Sequence, residues 1–169
     1  LTKKKKQIKR ILIYFGGVEN SIHEKVIDSI SEKKFSEIIF DYIIPKSSKN
    51  YSNLKKIENK IENIYVHDTK QTLSRFILRA DLFIGAGGST SLERLCLGIP
   101  SITIILADNQ EEIAENLNRD KYTNLIGWEN LISSKQITKA IDDFINKKTL
   151  LKDGRELVDG YGTKRVVNN

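Results

Sequence analysis

Gly85-Ala86-Gly87-Gly88-Ser89 follows an apolar run and opens a helix-like stretch closed by Gly98-Ile99-Pro100. Glycines let a backbone take positive φ and let a ligand approach where a Cβ would stand. The N–H groups at a helix start, with the positive end of its dipole, suit an anionic phosphate. Ser89 and Thr90 add hydroxyl donors. The bland alternative is a tight turn with a Ser or Thr cap, and three glycines exceed what such a turn needs. Glu93 has two readings. Thr90-Ser91-Leu92-Glu93 matches the capping box, in which the acid folds back on the helix start. Its carboxylate can equally accept both hydroxyls of a ribose.

Asp108-Asn109-Gln110-Glu111 is similarly double. Asp108 or Asn109 fits an N-cap, and Glu111 and Glu112 suit a first turn. Asn109 and Gln110 also place two amides, able to donate and accept, beyond an apolar run. Gly16-Gly17 follows another such run and is expected near a phosphate or sugar. No Gly-Lys-Ser/Thr follows the glycine cluster, so it is not a P-loop. Gly85 and Gly87 fit two positions of a dinucleotide fingerprint, but the third is Thr90. That fingerprint also belongs on the first strand, which disfavours NAD. His23 and His67 have no ligand-spaced partners, so no metal and no other cofactor are expected. His67 is read as a surface histidine and Trp128 as a packing residue.

The elements that must position these groups alternate. Predicted strands cover 10–15, 36–44, 63–67, 81–85, 101–106 and 124–127. Predicted helices cover 21–34, 51–60, 70–80, 90–97, 110–119, 135–147 and 150–158. The strands are apolar throughout, as in a parallel sheet buried on both faces. The expected fold is therefore α/β, a Rossmann-like doubly wound parallel sheet of about six strands. Ligands of such sheets bind beyond the carboxyl ends of the strands, which selects the three loops above.

The chain has 169 residues and net charge +6. Lys3 to Lys6 with Lys9 and Arg10 form a basic run, read as a tail or linker over 1–9 ahead of one domain over 10–169. No aromatic residue is interleaved as a stacking platform, so nucleic acid is disfavoured. No apolar run approaches the ~20 residues of a membrane span. Cys96 is the single cysteine. It excludes an internal disulfide or a cysteine-based zinc site, fits a cytoplasmic location, and is expected buried with Leu92, Leu95 and Leu97 on the apolar phase of its helix. The chain starts at Leu1 and has no Met, which suggests a piece of a longer protein lacking an N-terminal domain.

The stretch "DLFIGAGGSTSLERLCLGIPSITIILADNQ", the opening "ILIYFGG" and the closing "DGYGTKRVV" resemble the UDP-2,4-diacetamido-2,4,6-trideoxy-β-L-altropyranose hydrolase family of pseudaminic acid biosynthesis. More distantly they are similar to the peptidoglycan N-acetylglucosaminyltransferase and other GT-B enzymes. The resemblance implies the C-terminal, UDP-sugar-binding domain of a GT-B fold. It implies Gly87, Gly88 and Ser89 at the diphosphate, Glu93 on the ribose, Asn109 and Gln110 toward the sugar, and Gly16 and Gly17 near the phosphates. Uracil would sit around Val66 to Thr69, held by backbone groups. Val18 and Glu19 stand where the family has a small or hydroxyl residue and an acid. The family's water-activating histidine belongs to the absent N-terminal domain, and neither His23 nor His67 matches it. No catalytic residue is therefore expected here: the chain should bind UDP without turnover. The alternatives are the donor-binding domain of a glycosyltransferase, and a non-catalytic nucleotide- or nucleic-acid-binding α/β module.

Overall fold

The computed structural model describes residues 7–17, 20–69 and 73–167. Val18, Glu19, the Lys3 to Lys6 run and the first residues of the helix expected at 70–80 lie outside the described residues. Six strands form one parallel sheet: β1 (Arg10–Tyr14), β2 (Ile39–Ile43), β3 (Ile64–His67), β4 (Leu82–Ala86), β5 (Ser101–Ile105) and β6 (Asn124–Trp128). Their spatial order is β3-β2-β1-β4-β5-β6. The chain winds outward from β1 to one edge, crosses over, and winds outward again from β4. The fold is thus the expected Rossmann-like α/β sheet, and the reversal falls between β1 and β4.

Alternation along β1 divides the core. Ile11 and Ile13 point to the face covered by α1 (Ile22–Ile30), α2 (Tyr51–Glu58) and α6 (Ser134–Ile145), where Val26, Leu54, Ile137, Ile141 and Phe144 are buried. Leu12 points to the other face and meets Phe83 with Phe76 and Ile77 of α3 (Leu73–Arg79). Next in the chain are α4 (Thr90–Cys96) and α5 (Glu111–Arg119). A short α7 (Gly162–Val167) ends the described chain.

Three elements differ from the sequence expectation. The helix read as 21–34 stops at Ile30, and a 3₁₀ turn over Lys33–Phe35 follows. The polar stretch 31–34 offers nothing to bury, and the tighter turn swings Phe35 into the core. The strand read as 36–44 begins only at Ile39. The helix read as 150–158 is an extended strap with one 3₁₀ turn, Gly154–Glu156. At Gly154 the strap runs so close to α4 that a Cβ would lie 2.6 Å from the Cα of Leu95. Lys147, with φ of 58°, ends α6 and turns the chain toward it. The edge strand β6 carries a bulge: Thr103 pairs with Leu125 but Ile104 with Gly127, whose φ is 122°.

No helix of the described residues is long and apolar enough to cross a membrane.

Candidate functional site

Tyr14 of β1 lies in register with Gly85 of β4. The two glycine loops therefore leave the sheet side by side at the reversal point, where diverging connections open a crevice. The glycines divide by function. A Cβ on Gly85 would lie 2.3 Å from both the Tyr14 carbonyl oxygen and Phe83 Cε1, so this glycine serves packing within β4. A Cβ on Gly87 would press on the Ala114 Cβ at 3.2 Å and the Gln110 Cβ at 3.4 Å. Gly16, with φ of 84°, and Gly17 would meet nothing within 4 Å. Gly88 would meet only Gln110 Nε2, at 3.9 Å. Gly16, Gly17 and Gly88 thus border open space.

Ser89, not Thr90, occupies the N-cap of α4, with φ −57° and ψ −31° and no side-chain cap bond. The turn closes on backbone instead: the Ser91 amide donates to Gly88 O at 2.9 Å and the Leu92 amide to Ser89 O at 3.1 Å. The Thr90–Glu93 capping box is therefore not formed. With Ser89 already helical, Thr90 is the first residue inside the helix and Glu93 falls one position past the place a box requires. Glu93 is exposed, and its carboxylate makes no hydrogen bond or ion pair among the described residues. The competing duty of Glu93 is gone, while its ligand role stays an expectation.

At the next loop, Asp108–Gln110 form a 3₁₀ turn and the N-cap of α5 is Gln110, in place of Asp108 or Asn109. Gln110 Oε1 accepts from the Leu106 amide at 3.1 Å, which turns its Nε2 toward Gly88. Asn109 is exposed. Beside this loop Trp128 Nε1 donates to Glu111 Oε1 at 3.0 Å, so the indole is anchored at the end of β6. Across the crevice Ser21 donates from its amide and its hydroxyl to Glu129 Oε2, at 3.2 and 3.3 Å, tying the start of α1 to the β6 side.

Val66 is set differently from its neighbours in sequence. Its side chain is buried, and its amide donates to Glu58 Oε1 at 2.7 Å. It offers the crevice neither group; Asp68 and Thr69, just beyond the strand, are half-buried. Neither histidine is a free surface group. His23 is buried, its Nδ1 2.7 Å from the Tyr42 hydroxyl, and burial raises the Tyr42 pKa well above the usual phenol range. His67 Nε2 lies 2.9 Å from Asp41 Oδ1. No group of three His, Cys, Asp or Glu residues among those described is placed to hold a metal ion.

Two charged features had no clear sequence signal. Asp41, inside β2, is buried and joined to Arg10 Nη1 at 2.7 Å, Arg79 Nη2 at 2.7 Å and His67. Burial pushes its pKa up. The hydrogen bonds from His67 and Arg10 and the charges of Arg10 and Arg79 outweigh that and hold it below the usual carboxylate range. The second is Arg94. The expected apolar phase of α4 is met only at Leu95: Leu92 is 56% and Leu97 36% exposed, Cys96 is half-buried, and Arg94 is 1% exposed. Ser91, Arg94 and Leu95, spaced three and four apart, form the buried stripe of this helix. An arginine on that stripe, beside Ser91, was the available clue.

The family described as "Protein of unknown function (DUF354)" matches residues 11–164, and the chain belongs to it. The chain is 25% identical to the spore coat polysaccharide biosynthesis protein SpsG of Bacillus subtilis (strain 168), over 96% of this chain and 50% of that one. The chain thus spans about half the length of that curated relative. Among solved structures it resembles MurG of Acinetobacter baumannii, with TM-score 0.70, 13% identity, and coverage of 98% of this chain and 50% of that one. It also resembles UDP-GlcNAc 2-epimerase from Neisseria meningitidis bound to UDP-GlcNAc, with TM-score 0.64, 16% identity, and coverage of 96% and 43%. UGT71G1 of Medicago truncatula complexed with UDP-glucose gives TM-score 0.70, 13% identity, and coverage of 97% and 38%. The fold is thus one shared with GT-B glycosyltransferases.

Proposed function

With membership of that family as the premise, we propose that this chain is the UDP-sugar-binding part of a nucleotide-sugar enzyme of surface-polysaccharide biosynthesis. Within that class we assign it to a UDP-sugar hydrolase of the pseudaminic-acid type. The observation that carries the reading is the pairing of two glycine loops at the sheet reversal, with Gly16, Gly17 and Gly88 bordering open space and an exposed Glu93 in the helix that follows.

In this reading the diphosphate lies against Gly87, Gly88 and Ser89, where turn amides and the Ser89 hydroxyl donate to it. Thr90 adds a second hydroxyl. Glu93 accepts the ribose hydroxyls. Gln110 Nε2, and Asn109 beside it, face the sugar side. Water replaces UDP at the anomeric carbon, the bond from that carbon to the diphosphate oxygen breaks, and negative charge grows on the departing phosphate. Fixed donors at that position favour the transition state over the ground state. The base that takes the water's proton comes from outside this chain, which is expected to bind without turning over. The epimerase and UGT71G1 structures hold UDP-sugars, and SpsG is named for polysaccharide biosynthesis; both support this substrate class. A glycosyltransferase would use the same crevice, with an acceptor hydroxyl replacing water.

Calorimetric titration of the 169-residue chain with UDP, ADP and NAD tests the proposal. UDP binding in preference to ADP and NAD, with weak dependence on salt, is expected. Binding that ignores the base and falls steeply with salt would instead mark a phosphate-driven, nucleic-acid-type surface.

A further inference from the structure

Arg94 is an unusual cation. Its guanidinium lies inside the protein, 5.2 Å from the centre of the Phe83 ring. Its Nη2 donates to Ser91 Oγ at 2.9 Å and to Thr103 Oγ1 at 2.8 Å. Those acceptors are neutral, and so is what lies behind them. Thr103 Oγ1 is 2.6 Å from Thr123 Oγ1, which is 2.9 Å from Ser101 Oγ and donates to Ser101 O at 3.1 Å. Arg94 Nε and Nη1 are buried without a hydrogen-bond partner, and no carboxylate pairs with Arg94 among the described residues. Burial pulls the guanidinium pKa down to about 9.

A lone buried charge among neutral partners is costly, and apolar residues of similar volume usually serve stability better. Its position relates the charge to the glycine loop. Arg94 grips Ser91, and the Ser91 amide holds Gly88 O at 2.9 Å. The guanidinium is therefore two contacts behind the very loop assigned above to the diphosphate. In a medium of low dielectric a charge acts over such distances with little screening.

We infer that Arg94 is a positioning residue for the anion held by Gly87, Gly88 and Ser89: it holds the loop through Ser91 and supplies, from inside the fold, the positive charge that the loop itself lacks. This rests on the diphosphate reading of that loop. The ligand is the counter-charge that the polypeptide does not provide.

The test uses the full 169-residue chain with UDP and uridine as probes, on wild type, Arg94→Met and Arg94→Lys. Arg94→Met is expected to keep or raise the melting temperature without ligand, since it removes an unpaired buried charge. It should weaken UDP at least about tenfold and leave uridine nearly unchanged. Arg94→Lys should keep most of the UDP affinity. Equal UDP affinity in wild type and a folded Arg94→Met overturns the inference and leaves the diphosphate reading standing. Equal loss of UDP and uridine, or Met outperforming Lys on UDP, shows Arg94 to be packing only. If Arg94→Met fails to fold, the Lys variant decides: a folded Lys variant that keeps UDP, or loses UDP but not uridine, supports the inference, and one that loses UDP and uridine alike overturns it. If wild type binds no UDP, both readings fall together.

Discussion

Gln110 and Gly88 meet on the neighbouring loops after β5 and β4: the glutamine oxygen is held by the Leu106 amide, and its Nε2 lies 3.9 Å from where a Gly88 Cβ would stand. A methyl group fits there at ordinary contact distance. At Gly85, three residues earlier, the same methyl would lie 2.3 Å from a backbone oxygen. One glycine motif thus contains a packing position and an open position. Gly88→Ala should leave thermal stability within about 0.5 kcal/mol while lowering UDP affinity, whereas Gly85→Ala should cost about 3 kcal/mol or fail to fold. Melting curves with and without UDP separate the two; a destabilised Gly88→Ala would mean that the space beside it is not open.

Glu93→Ala tests a carboxylate that caps nothing. The melting temperature without ligand should not fall, because no cap bond is lost. UDP binding should weaken by about 1.5–3 kcal/mol, the range for hydrogen bonds to a charged group. Titration calorimetry beside differential scanning calorimetry reads both. A drop in melting temperature with unchanged UDP affinity would return Glu93 to a structural role.

Asp41 gives a pH prediction. Its folded pKa is held below the unfolded value, so its contribution is fully present above about 3.9, the ordinary aspartate pKa, and is lost as pH falls through the folded value. Asp41→Asn should cost about 1–3 kcal/mol at pH 7, toward the low side because Arg10 and Arg79 are partly exposed. Urea unfolding at pH 7 and pH 3 should show the gap between wild type and variant narrowing in acid. A constant gap would place the effect in packing rather than in charge.

Ser133, unlike Thr90, closes its capping box. Its hydroxyl accepts from the Gln136 amide, and the Gln136 side chain accepts from the Ser133 amide at 2.9 Å. Ser133→Ala should destabilise the chain by about 1 kcal/mol, read from the urea midpoint at constant slope. A shift below about 0.3 kcal/mol would show that the box adds little to a helix already fixed by packing.

Ser133-Ser134-Lys135-Gln136 and Thr90-Ser91-Leu92-Glu93 carry the same signature, yet only the first makes a box. Ser133 is extended, with φ −111° and ψ 163°, so its side chain can reach the N3 amide. Thr90 is already helical because the glycine turn starts α4 one residue earlier. Cap chemistry was readable; backbone phase was not. The doubly wound parallel sheet followed from apolar runs alternating with amphipathic ones, since that pattern admits few topologies, while strand order and the reversal point came only with the structure. The loops at the carboxyl ends followed from the same rule. Arg94 and Asp41 did not, because each charge is buried by residues distant in sequence or on a helix whose expected apolar phase is met only at Leu95. Leu92 and Leu97 looked like core and lie outside, while Arg94 between them lies inside. At Val66 nothing in the sequence signalled that a strand amide would be engaged by the Glu58 side chain eight residues earlier.

The strap at Gly154 has a consequence for recognition. It braces α4 from behind at Leu95, while the front turn of the same helix carries Gly88 and Ser89. With both ends fixed, α4 is a post rather than a hinge. The loop's geometry is settled when the chain folds, so the proposed diphosphate would cost little conformational entropy there. Loosening the strap by Gly154→Ala, far from the crevice, would therefore weaken binding by softening the support rather than by removing a contact.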